Sequence, residues 1–499
     1  MNKYICTILL TTFFIGSCAP AIASPTELPA ATPTQTITPS QTLPPALISI
    51  PIATPYPPLQ TEGPYLLYST DWSDLTILDA DGKGRKQFQL PNEGFVRDLK
   101  KAVSPDGKWL AYFTGSSHKE PYNLALHLLS LEDQTTIHIA NLIAPGFPDN
   151  LESVKTSDPV ELESCNSGPC RISVIELAFN EGIESMDWSP DSRSLAFAAQ
   201  IDGPSSDVYI FSIEGKSIRR LVGDLENVWR IDWSPNGNRI LYQNSTAGVT
   251  YTSKYLYIAD PNINKIQSPE VIYSGKFWYI YGWINEKSCL ISSGGEGASA
   301  QHFRYIDVET QQTKEVWPYT AEYIVIDSMS EKIVLTTIPG GYLDNEPEEG
   351  TYILSVDGNY SKITNDLFVL YEGFRESQVL GWRNDQIYDI SLDGTTTLIG
   401  PSKWDQHQKP LASPDQKWIF LLENQSKITL YSVDTYEQIK AWNIDEYVYG
   451  ISWRPDSLGI FLSTETHIYY LPIPNGEPVP LDDCPPNNFC GYKDFVWLP

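Results

Sequence analysis

The sequence predicts an all-β protein, a single closed β-propeller of four-stranded antiparallel blades. Three observations predict it. A short phrase, Trp-Ser-Pro-Asp or a variant, recurs along the chain. Each copy is followed by the same succession of short apolar strands. The last copy, Trp497-Leu498-Pro499, stops where the next strand should begin, while Tyr65-Leu66-Leu67-Tyr68-Ser69-Thr70 opens the folded region as a strand without its phrase. Halves of one unit at the two ends are expected to pair and close a ring.

The phrase is complete in Trp188-Ser189-Pro190-Asp191 and Trp233-Ser234-Pro235-Asn236. It is varied in Trp453-Arg454-Pro455-Asp456, and Val103-Ser104-Pro105-Asp106 and Ala412-Ser413-Pro414-Asp415 lack the Trp. A strand such as 183–188 runs into it. Pro then fixes φ, Asp or Asn tolerates a turn, and Gly107 and Gly237 supply a permissive position. A second apolar strand follows at once (195–198, 240–242, 419–422, 460–462). A third follows a polar loop (207–211, 255–258, 428–431, 467–470), and a fourth, such as 218–221, follows a Gly-containing turn. The anchors at 189 and 234, 413 and 454, and 454 and 498 are 45, 41 and 44 residues apart, the length of one blade. Weaker anchors fall at Trp283-Ile284-Asn285, Ile326-Asp327-Ser328 and Trp382-Arg383-Asn384. The longer gap from 104 to 189 holds one blade and an insertion at about 143–171. Nine quartets can be counted, but eight is the commoner size, so eight blades are expected and nine admitted.

These residues resemble the TolB-like, PD40-type relatives of WD40 propellers, whose phrase is similar to W-S-P-D-G-K, an apolar strand, an aromatic strand and D-G. The segment from Val103 to Phe113 is the nearest copy, and the resemblance covers about 63–499. It implies the fold and leaves the function open, because the anchor residues hold the blade and one scaffold serves enzymes, receptors and adaptors.

The first residues read as an export signal. Met1-Asn2-Lys3 is positive, and 4–16 is apolar or small, too short to span a bilayer. It ends in Ile15-Gly16-Ser17-Cys18, which resembles a bacterial lipobox and implies that Cys18 is lipidated after removal of 1–17. Ala21-Ile22-Ala23 offers an alternative cleavage before Ser24, giving a secreted chain. Residues 18–63 are rich in Pro, Thr, Ala and Ser and are expected to form a disordered tether to a propeller spanning 64–499. Two close cysteine pairs, Cys165 with Cys170 and Cys484 with Cys490, fit small disulfide loops of an exported protein. A zinc site using both pairs is the alternative, less suited to these spacings. Cys289 borders an apolar strand and reads as a buried thiol.

The chain carries 62 acidic and 34 basic residues, a formal net charge of −28. That disfavours nucleic acid and anionic lipid surfaces, leaving a lipid anchor as the expected membrane contact. There is no G-x-S-x-G, H-E-x-x-H or phosphate loop, and no cofactor is expected. His302, His407 and His467 come from different blades, so a His-metal site on the axis is geometrically open. Loops between second and third strands gather on one face of a propeller and form the natural binding rim. Trp72, Asp74, Tyr122, Asp202 and Asp207 are its candidates. The expected role is binding or scaffolding for a protein or glycan. The alternative is a carbohydrate-active hydrolase or lyase, distinguished by carboxylates or histidines converging on the axis.

Overall fold

The computed structural model describes residues 47–49, 58–69, 73–96, 98–115, 123–143, 185–201, 206–223, 228–244, 253–294, 301–317, 319, 321–327, 332–337, 348–375, 377–402, 410–423, 426–483 and 495–499. They belong to one compact unit, 44–499; the other, 1–43, lies outside the described residues, as do Cys18, the four cysteines expected to form disulfides and the insertion from 144 onward.

The unit is a propeller of nine four-stranded antiparallel blades, the counted number and not the favoured eight. Blade 1 is closed by the two ends of the ring. Val496–Leu498 forms its innermost strand, and Tyr65–Ser69, Asp74–Asp79 and Arg85–Gln89 follow outward. Tyr65 pairs with Leu498, Leu66 with Trp497 and Leu67 with Val496, as the split repeat predicts. Blades 3, 6, 7, 8 and 9 begin at Met186, Ala321, Val369, Leu411 and Val448. Blades 4 and 5 share one 16-residue strand, Glu270–Asn285, which is outermost in blade 4 and innermost in blade 5.

Blade 2 departs from the pattern. Its innermost position is filled by residues 95–96 and 98–103, pinned by the bridges Phe95–Phe113 and Val103–Leu110. Between them Leu99–Ala102 makes one helical turn, capped by the Asp98 carboxylate, which accepts from the Lys100 and Lys101 N–H groups. The fourth strand of its sheet comes from the segment expected to be tether: Leu47–Ser49 pairs antiparallel with Thr135–Ile137. Nearer the ring, the buried Asp79 carboxylate accepts the Gln60 N–H (2.9 Å) and the Thr61 hydroxyl (2.8 Å). The 18–63 segment therefore contributes both an edge strand and a docked end.

The recurring phrase is a self-contained hydrogen-bonded turn. Ser104, Ser189 and Ser413 each donate their hydroxyl to the Asp two residues on at 2.7 Å, and Ser234 does so to Asn236 at 2.9 Å. Each Ser Oγ then accepts an N–H where the next strand begins, from Trp109, Ser194 and Trp418 at its first residue and from Arg239 just before it. The residue after Asp or Asn is left-handed in every copy: Gly107, Ser192, Gly237, Gln416 and Ser457 have φ of 59° to 73°. Ser192 and Ser457 also accept the Asp106 and Asp415 N–H groups of the preceding blade at 2.9 Å.

The anchor Trp has a related task. Trp188 donates its indole N–H to the Ala102 carbonyl (3.0 Å), Trp453 to Leu411 (3.1 Å) and Trp497 to the Ser452 hydroxyl (3.0 Å). Each acceptor lies on the innermost segment of the preceding blade, so the Trp staples blade to blade. Packing follows the same logic. Ala196 and Val208 of blade 3 share a buried cluster with Ile231 and Tyr242 of blade 4. Leu66 and Tyr68 of blade 1 share one with Phe461 and Ile468 of blade 9. Each such large side chain contributes about 1.5–3 kcal/mol by leaving water.

The anchor read at Trp382 is corrected. Trp382 ends the second strand of blade 7, Gln378–Arg383, and the following Asn384-Asp385 is a hairpin turn to the third. Both turn residues have positive φ, 52° and 58°.

Candidate functional site

The strand order gives the ring two faces. Turns from first to second and from third to fourth strands lie on one, called here the turn face. Loops from second to third strands, and the crossovers between blades, lie on the other, the loop face. Of the expected rim, Trp72, Tyr122 and Asp202 lie outside the described residues. Asp74 and Asp207 both begin third strands. Asp207 is fully buried, 2.7 Å from the Arg220 guanidinium, and belongs to the interior of blade 3 and not to an accessible rim.

Of the three histidines considered for an axial metal, the two described ones each face a carboxylate of their own. His407 lies outside the described residues, His302 faces Glu315 at 3.5 Å, and His467 faces Glu446 on another blade. His127 stacks on Tyr112 and lies tilted against His138, and burial, with His138 beside it, pushes it down to about 4, so it packs as a neutral ring. Among the described residues no group of three or more His, Cys, Asp or Glu could hold a metal ion.

Charged side chains do converge at the axis, on the innermost segments of blades 2, 3 and 4. The Asp187 carboxylate of blade 3 accepts the Trp233 N–H of blade 4 at 2.6 Å and its neighbour Trp188 N–H at 3.1 Å. Asp232 takes Arg230 Nε at 2.7 Å, and Lys101 from the blade 2 helix stands 3.8 Å away. Burial lifts the Asp187 carboxyl to about 6, against the pull of Lys101 and the two N–H groups and with the push of Asp232. Two carboxylates and two cations thus tie three adjacent blades together.

The loop face of blade 9 carries a second network. Glu446 lies in the crossover that follows the last strand of blade 8, Gln438–Asn443; Thr464 ends the second strand of blade 9, and Glu465-Thr466 form the loop to its third. The Glu446 carboxylate accepts from the Thr464 and Thr466 hydroxyls and the Tyr469 hydroxyl (3.0 Å), and lies 2.5 Å from His467 Nδ1. Burial works against the charge, but these four side chains outweigh it and hold the carboxyl down at about 2. The next residues begin the innermost strand, and Tyr447 and Tyr449 lie on one side of it, ring centroids 4.3 Å apart. Both are partly exposed. A rigid aromatic pair beside a fixed carboxylate and hydroxyls suits recognition of a polar ligand with an apolar face.

Sequence reading reached His467 as a possible metal ligand and missed its partner. The signal was the alternation Tyr447-Val448-Tyr449, which puts both tyrosines on one side of a strand and Val448 on the other. Glu446 gave none, since a crossover meets its neighbour's loop only in the folded ring.

The fold and this face define a nine-bladed propeller protein with an aromatic and polar loop surface. No family model matches the chain. A stretch of 54 residues is 43% identical to an uncharacterized peptidase, YuxL, of Bacillus subtilis (strain 168). It covers 11% of this chain and 8% of that protein's length. Among solved structures, a eukaryotic initiation factor aligns with a TM-score of 0.52 over 88% of this chain and 99% of that one, at 11% identity. An oligogalacturonate lyase in complex with manganese aligns at 0.34, with 11% identity, over 58% of this chain and 88% of that one. The first likeness is one of fold alone.

Proposed function

We propose that this protein is an exported, lipid-anchored propeller of the TolB-like, PD40-type kind that binds a protein or glycan partner on its loop face. The observation that carries the binding reading is the Tyr447–Tyr449 pair set beside the Glu446 network. Four side chains hold that carboxylate in place before any ligand arrives, which lowers the ordering cost of binding. The lipobox-like Ile15-Gly16-Ser17-Cys18 and the Pro/Thr-rich stretch after it support the anchor. The test is a glycan array, with titration of each hit, on the mature chain and on the Tyr447→Ala/Tyr449→Ala variant. Loss of about tenfold or more in affinity at an unchanged melting temperature is expected. Equal affinity would remove the loop face of blade 9 from the reading.

The enzyme alternative has one observation in its favour. Burial raises the Asp187 carboxyl to about 6, within reach of proton transfer near neutral pH, and Asp232 stands beside it. Polysaccharide cleavage lost in Asp187→Asn but kept in Tyr447→Ala would favour it over binding alone.

A further inference from the structure

The turn face holds a polar cleft of about 470 Å³ between blades 3 and 4. Ser217 and Arg219, from the outermost strand of blade 3, line one side. Asn236 and Asn238, in the Ser-Pro-Asn turn of blade 4, and Asn262, in the turn after that blade's third strand, line the other, with Trp233 between. None of these residues belongs to the loop face described above.

Arg219 is unlike its neighbours. Its guanidinium donates to the Ile263 carbonyl at 3.1 Å and to the Pro261 carbonyl, both neutral acceptors. Arg220 instead lies 2.7 Å from Asp207, and Arg239 lies 3.2 Å from Asp260. No described carboxylate is within ion-pair distance of Arg219, in a chain of net charge −28. A guanidinium carries five N–H donors in a planar fork, so donors remain for a ligand. Burial depresses the Arg219 pKa, with Asp260 opposing, as for a cation short of a counter-charge. The carboxylate on the lining, Asp191, is well exposed and already accepts from the Ser189 hydroxyl (2.7 Å) and the Arg193 N–H (3.1 Å).

We propose that this cleft binds a small hydroxylated carboxylate, a sugar acid, with its carboxylate on Arg219 and its hydroxyls on the serine and asparagine side chains. Apart from Arg219 and the turn-engaged Asp191 the lining is uncharged, and that decides between sources of the carboxylate. Hydroxyl and amide groups match a polyhydroxylated ring, whereas the ammonium of an amino acid would need a carboxylate not already engaged in a turn.

Calorimetric titration of the mature chain with glucuronate, glucose and glutamate tests this. Glucuronate is expected to bind about tenfold or more tighter than glucose, the range of a hydrogen bond to a charged group. It should also bind tighter than glutamate. Arg219→Gln should abolish the preference over glucose. Because Arg219 also holds two loop carbonyls, Ser217→Trp serves as the second variant: its exposed side chain fills the cleft and should block glucuronate at an unchanged melting temperature. The proposal is overturned if glucuronate does not bind at millimolar concentration, or binds no tighter than glucose or glutamate. It is equally overturned if either folded variant binds glucuronate as the native chain does.

Discussion

Replacing Trp188 with Phe removes one blade-to-blade staple and leaves most of the ring packing. The indole of Trp188 is buried, 3.0 Å from the carbonyl of Ala102, itself 1% exposed. Phe keeps an aromatic ring at the site but has no donor, so a buried carbonyl loses a partner, at a cost of about 1–3 kcal/mol. Trp283 is the natural control. It stands at the same place in blade 5, and its buried indole N–H has no partner. Trp283→Phe sheds a similar volume and also removes a desolvated donor, which returns about 1–3 kcal/mol. The two variants should therefore differ by about 2–6 kcal/mol, Trp188→Phe being the less stable. For a ring of this length the unfolding entropy is roughly 0.9 kcal/mol per kelvin, which makes the difference about 2–7 °C in melting temperature. Differential scanning calorimetry resolves that. Trp233→Phe should fall between them, since its indole bonds the Gly237 carbonyl within its own turn. Equal melting temperatures for the Trp188 and Trp283 variants would refute the staple.

Deleting residues 493–499 removes the innermost strand of blade 1 with the buried Phe495 and Leu498, a loss of about 5 kcal/mol, read as a lowered midpoint in urea; an unchanged midpoint would show that the ring does not depend on its closure. Asp187 has its folded pKa raised from 3.8 to about 6, so the stability it adds is fully present below about pH 4 and lost as pH rises through 6; Asp187→Asn should flatten the pH profile of the melting temperature in that window, and a profile parallel to the native one contradicts the assignment. Cys18→Ser should move the protein from the membrane to the soluble fraction, and a mature N-terminus at Ser24 in the native chain rejects the lipobox. Peptide mass spectrometry without reduction should find Cys165 joined to Cys170 and Cys484 to Cys490; four free thiols reject both pairs.

The blade phrase was legible because its physics is local. Ser, Asp and the left-handed residue close a turn among themselves, so the same letters give the same geometry wherever they occur. The blade count was harder, since a prior for eight competed with nine visible quartets. Trp382-Arg383-Asn384 misled for a physical reason: it resembles an anchor, yet Asn384-Asp385 is a two-residue hairpin turn, and the Trp382 indole bonds the Ser402 carbonyl at the loop-face end of its blade. The strand at Leu47–Ser49 was hidden by averaging, because Leu-Ile-Ser sits inside a Pro- and Thr-rich segment. The axial charges were invisible for a different reason. Lys101, Asp187, Arg230 and Asp232 stand up to 131 positions apart along the chain (232 − 101), and no local pattern announces a cluster built by ring geometry.

The direction of the Trp staples bears on how such a chain can lengthen. At Trp188 and Trp453 the donor belongs to the incoming blade and the acceptor is a main-chain carbonyl of the one before it. Every residue type provides that carbonyl. A duplicated blade therefore arrives with its own donor and finds an acceptor whatever sequence precedes it, so tandem duplication needs no matching mutation in the neighbour. Among the three staples the exception is the closing blade, where Trp497 uses the Ser452 side chain. There the partner is encoded, and of these three seams that is the one where inserting or losing a repeat would have to be answered by a second change.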